Sequence, residues 1–152
     1  MAVFSRILNR IGDLISKPSR RDLERSYSKL LEQKNHLLKV NVNARARFDQ
    51  QYNEVIQCAS YGTSKGKIFP GEYREIERLC SGFLTMSKDE IETEKMKAME
   101  QMRSRRDRMI DAKIMLLATT ALEIAGNKEK VQKLDEELNE LKNEIARLKK
   151  VS

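Results

Sequence analysis

Few residues in this chain have the type or the company that catalysis demands. The one histidine, His36, belongs to no Cys, Ser or carboxylate constellation, so it reads as a helix residue and not as a base or ligand. Cys58 and Cys80 fit no metal-ligand or redox spacing, and read as small packing residues in a reduced setting. No Gly-rich phosphate loop occurs. What remains is charge. Arg103, Arg105, Arg106 and Arg108 stand against Asp107 alone, a group able to bind phosphate or another anion. Residues 1–21 hold Arg6, Arg10, Lys17, Arg20 and Arg21 against Asp13, within a chain of net charge +7. The expectation is a non-enzymatic protein with no cofactor and no metal, whose chemistry is binding.

The elements that carry these charges are helical. Charged residues make up 35% of the chain and aromatics 5%, with only Pro18 and Pro70 as prolines, a composition of long helices and not of sheet. Val3, Phe4, Ile7, Leu8, Ile11, Leu14 and Ile15 recur on one helical face, and Arg6, Asn9, Arg10 and Asp13 on the other. Such a helix suits either the surface of an anionic membrane or the side of a helical body. Lys17-Pro18 ends it, because the residue before proline is pushed out of the helical region.

Ser19 with Asp22 predicts the cap of a long helix running to about Gln57, its stripe interrupted by Lys34 and Asn41. Tyr61 to Pro70, with Gly62 and Gly66, predicts a loop, and Pro70 starts a short helix that ends near Gly82. Ser87-Lys88-Asp89-Glu90 is a capping box for a third helix to about Ala125, with a break predicted at Gly126-Asn127. Met96, Met99, Met102, Met109 and Met115 cluster in it, either an adaptable core or a face for a helical protein partner. Its apolar run Ile114 to Leu122 is far too short to span a bilayer.

At the end of the chain, Val131, Leu134, Leu138, Leu141, Ile145 and Leu148 follow the 3, 4 spacing of a leucine zipper. In a parallel pair, Lys130 would face Asp135, Glu137 would face Lys142, and Glu144 would face Lys149, all attractive. The spacing predicts a homodimer or higher oligomer.

The opening Met1-Ala2-Val3-Phe4-Ser5-Arg6-Ile7 resembles the start of the phage-shock protein A family, itself similar to ESCRT-III. The match is close over about seven residues and extends beyond them only as a layout of helices. Ala2 stands where that family usually has Gly, and Lys17 where it has an acidic residue before the proline. The resemblance implies a protein that polymerises on membranes. It makes Val3, Phe4, Ile7, Leu8, Ile11, Leu14 and Ile15 the lipid-inserting face, and Arg6 and Arg10 the headgroup contacts.

Taken together, the sequence predicts an all-α protein in three parts. Residues 1–17 form an amphipathic helix, 19–125 a long helical hairpin with a loop and short helix at 60–86, and 128–152 a coiled coil. The expected function is self-assembling scaffolding, cytoplasmic and peripheral on a membrane. The alternatives are a nucleic-acid accessory protein using Arg103, Arg105, Arg106 and Arg108, and a helical adaptor for another protein. The arginine cluster has no interleaved aromatics and no recognisable DNA- or RNA-binding motif, which places nucleic acid second.

Overall fold

The computed structural model describes residues 19–101 and 108–151, and the regular elements among them are all helical. Helix α1 spans Arg20–Ser64, α2 Pro70–Gly82, α3 Lys88–Gln101 and α4 Arg108–Val151, with a 3-10 turn at Phe83–Thr85. None of these helices is long and apolar enough to cross a membrane. The amphipathic stretch 1–17 lies outside the described residues.

Local chemistry sets where the helices start. The Ser19 hydroxyl accepts from the Asp22 backbone N–H at 3.2 Å and donates to the Asp22 carboxylate at 2.8 Å, closing a reciprocal cap. The Ser19 hydroxyl and the Ser19 backbone N–H, both donating to the Asp22 carboxylate, hold its pKa below the ordinary value. The cap's stabilisation is therefore present above the unfolded pKa of Asp22 and lost as pH falls through its lowered folded value. Ser87 and Glu90 repeat the device at the start of α3, the Glu90 N–H donating to the Ser87 hydroxyl at 3.2 Å. Pro70 occupies the first turn of α2, where a missing N–H costs nothing.

Two predicted boundaries differ. Helix α1 runs past its predicted end near Gln57 and through Tyr61–Ser64, which the sequence assigns to loop, and ends at Ser64 just before Gly66. Gly66 has φ +72, a left-handed conformation that favours glycine. The Lys67 N–H returns to the Gly62 carbonyl at 2.8 Å, a hydrogen-bonded helix end. The second difference is at Gly126-Asn127, where α4 continues without interruption. A glycine inside a helix costs about 1 kcal/mol and does not break it when the flanking turns are packed.

The contacts divide into two units. Among the described residues, one joins 19–40 to 128–151, and the other holds those between Asn41 and Asn127. In the first, Leu23, Leu30, Leu138 and Leu141 are buried together, with Tyr27, Leu134, Ile145 and Leu148 partly buried around them. Lys34 reaches Asp135 at 2.6 Å. Lys34, an interruption when α1 is read alone, thus supplies the cation for an aspartate of α4.

In the second unit, buried residues recur every three or four positions along α4: Ile110, Ile114, Leu117, Ala118, Ala121 and Ile124. Helix α1 brings Ala44, Phe48, Val55 and Ala59, and the short elements bring Ile76, Cys80, Phe83 and Ile91. Polar contacts fix the register. Asn127 Nδ2 donates to Asn41 Oδ1 at 3.0 Å, Arg47 pairs with Glu123 at 2.5 Å, and the Thr120 hydroxyl donates to Gln51 Oε1 at 2.7 Å. Numbers rise along α1 as they fall along α4, so the two segments lie antiparallel in this unit.

Asn41 and Asn127 are each other's partners, which accounts for a stripe interruption and for an amide placed after a helix glycine. Asn41 Nδ2 also donates to the Ile124 carbonyl at 3.3 Å. Replacing Asn41 with Leu removes the acceptor from an Asn127 that is only 8% exposed, and should cost about 1–3 kcal/mol in urea unfolding. The double substitution of both asparagines with Leu should recover part of that loss. A single-site cost that is fully additive in the double variant would mean the pair is not coupled.

Candidate functional site

Among the described residues no group of His, Cys, Asp or Glu is arranged to hold a metal ion. His36 is exposed on α1. Cys80 is completely buried, and burial pushes its thiol up to about 12, so it stays protonated and inert. Cys58 is half-buried and unbridged. Asp111 is fully buried on α4. No nucleophile stands beside a base in this set.

One cleft lies among α2, α3 and α4, with a volume of about 250 Å³. Ile76, Leu79, Ala98 and Ile114 give it an apolar lining, while Glu75, Arg78, Glu94 and Lys97 bring two charges of each sign. Lys97 pairs with Glu94 at 3.3 Å. Balanced charges around a small apolar lining select neither an anion nor a cation.

The zipper stripe has an occupant inside the chain. Leu138 and Leu141 are buried with Leu23 and Leu30, while Leu134, Ile145 and Leu148 pack on that cluster. Val131 is half-buried. Asp135, which the sequence pairs with Lys130 of a second copy, meets Lys34 of its own chain. Glu144 bonds Arg147 one turn along the same helix, at 2.9 Å for Nε. Glu137 is buried at 7% exposure. Heptad spacing identifies an apolar helix face but does not say which helix covers it.

The basic clusters divide differently. Arg108 begins α4 and is exposed, whereas Arg103, Arg105 and Arg106 lie outside the described residues. Val3, Phe4, Arg6, Ile7, Leu8, Arg10, Ile11, Leu14 and Ile15 lie outside them as well. Arg20 and Arg21, which open α1 directly after that stretch, are exposed.

Apolar surface is the remaining feature. In the first unit Leu31 and Leu38 are exposed on α1. In the second, Met96 and Met99 lie outward on α3, and Met109 and Leu116 outward on α4, each more than two-fifths exposed. The run Ile114 to Ala125 is not enclosed all round, and exposes Leu116, Thr119 and Glu123. At the turn between α1 and α2, Tyr61 and Phe69 are exposed at 59% and 71%. The Lys65 ammonium lies 5.6 Å from the centre of the Tyr61 ring, within cation–π range. Sequence reading passes over these two aromatics, because exposure at a turn depends on which neighbours are held inward.

Comparison with known proteins finds no matching family model, no matching curated protein and no matching solved structure.

Proposed function

We propose that this chain is a non-enzymatic helical scaffold that attaches to an anionic membrane surface through residues 1–17. The observation that carries this reading is a division of labour along the sequence. The apolar faces of α1 and α4 are already covered within the chain, at Leu23, Leu30, Leu138 and Leu141 and at the larger core. The stripe Val3 to Ile15 precedes that body across Pro18, with basic residues on its polar face and Arg20 and Arg21 exposed just after it. Each cation near an anionic leaflet adds about 1 kcal/mol, so arginines of this number reinforce a short apolar insertion substantially.

Within each unit α1 packs against α4, and in the unit of residues 19–40 and 128–151 that packing reads as an in-chain coiled coil. Association between copies then uses surfaces other than the Val131 to Leu148 seam, and the outward Met96, Met99 and Leu116 offer one. Those methionines also favour a second reading, an adaptor that docks a partner helix on a Met-bearing face. Even weak contacts between copies multiply membrane attachment through effective concentration. The full chain should co-sediment with vesicles of phosphatidylcholine and phosphatidylserine, and removal of residues 1–17 should abolish it. Undiminished sedimentation of the shortened chain would place membrane attachment elsewhere.

A further inference from the structure

The turn between α1 and α2 is a built projection. Its backbone is closed by the Lys67 and Ile68 N–H groups, which both donate to the Gly62 carbonyl, at 2.8 and 3.2 Å. Gly66 supplies the left-handed residue that this return requires. Ile68 is buried at 4% exposure and ties the turn to the core, which leaves Phe69 on the outside at 71%. The other two described phenylalanines, Phe48 and Phe83, are buried at 3% and 0%. Phe69 is therefore the exception to how this chain uses phenylalanine.

Its neighbours match one kind of surface. Lys65 and Lys67 flank Gly66 and are exposed, and Tyr61 presents a ring with a polar tip one turn back. No acidic residue occurs between Glu54 and Glu72, so the projection carries positive charge alone. An apolar ring projecting among lysines, beside an amphipathic tyrosine, is the composition of a segment that sits at a lipid headgroup boundary. The ring enters the acyl boundary while the lysine stems lie along it and keep their ammonium groups at the phosphates.

We propose that Tyr61, Lys65, Lys67 and Phe69 form a second contact with an anionic bilayer. This inference rests on the membrane attachment argued above, and it adds a rigid contact, fixed by the fold, to the one made by residues 1–17. Two contacts on one chain act through effective concentration, so the turn strengthens binding even where its own affinity is weak.

The absence of tryptophan from the chain gives a direct test. In the full chain, Phe69→Trp introduces one reporter at an exposed position, and Phe4→Trp in a second variant reports on residues 1–17. With vesicles containing phosphatidylserine, the emission of Phe69→Trp should shift to the blue and be quenched by brominated acyl chains. With phosphatidylcholine alone it should not. Lys65→Gln with Lys67→Gln should weaken vesicle binding on the order of twentyfold, since each lysine at such a surface contributes about fivefold. Helical content should be unchanged by circular dichroism, because both lysines are exposed.

Vesicle-bound protein in which Phe4→Trp responds and Phe69→Trp stays silent overturns the second contact and leaves the first standing. A Phe69→Trp response without one from Phe4→Trp supports the turn and removes the role of residues 1–17. Silence from both, with no protein in the vesicle pellet, defeats both. Quenching by a single-stranded oligonucleotide in place of any vesicle response would assign the turn to nucleic acid and overturn the proposal.

Discussion

Replacing Leu141 with Asp should unfold the unit built from residues 19–40 and 128–151. Leu141 is fully buried against α1 in a cluster with Leu23, Leu30 and Leu138. Losing the leucine contacts costs about 2–5 kcal/mol by analogy with large-to-small core substitutions. The carboxylate adds a desolvation penalty, since the cluster around it is leucine, isoleucine and tyrosine. Against a total stability of about 5–15 kcal/mol for a domain, that sum is decisive for a cluster of four buried residues. Far-UV circular dichroism should lose helical signal. If instead the helical signal survives and light scattering gives half the mass, the stripe joins two chains and the in-chain reading fails.

The second large effect is expected at Phe83. It is 0% exposed in the core of the other unit, in the 3-10 turn that follows α2. Its backbone carbonyl accepts from the Met86 N–H at 3.3 Å, which closes the turn that aims the ring inward. Phe83→Ala should cost about 3–5 kcal/mol, because a fully buried ring leaves a cavity that the surrounding core closes only in part. Leu at this position should be far milder, since most of the apolar volume returns. Urea midpoints of the two variants measure the difference. Equal, small shifts for both would mean that the core closes over the vacancy and that Phe83 does not anchor the turn.

The helix starts were legible in the sequence for a physical reason. Ser19 with Asp22, Ser87 with Glu90 and Pro70 satisfy backbone donors locally, and local chemistry is written in local residues. The end of α1 was less legible, because Gly62 and Gly66 are equally able to stop a helix. Burial of Ile68 selects the second, by requiring the return of Lys67 and Ile68 to the Gly62 carbonyl. Gly126-Asn127 misled for a similar reason. Its amide is satisfied by Asn41, a partner 86 positions away, so nothing near it in sequence shows why the helix continues.

Binding surfaces were legible only as faces. The Val131 to Leu148 stripe is a strong periodic signal, yet its charges match an in-chain helix as well as a second copy. Lys34 completes Asp135 as readily as a partner's Lys130 could. Phe69 was not legible as a surface at all. One exposed phenylalanine in a loop becomes informative only when Ile68 beside it is seen to be buried and Phe48 and Phe83 to be core. Among the arginines, the sequence marks a basic cluster at 103–108, of which the described residues reach only Arg108.

The most direct test of a membrane-attached scaffold is co-sedimentation of the full chain with anionic vesicles, followed by electron microscopy of the pellet. Protein should enter the pellet with phosphatidylserine vesicles, leave it as salt rises, and coat the lipid surface at a regular spacing. Protein that stays in the supernatant with anionic and zwitterionic vesicles alike, at low salt, would contradict the proposed function.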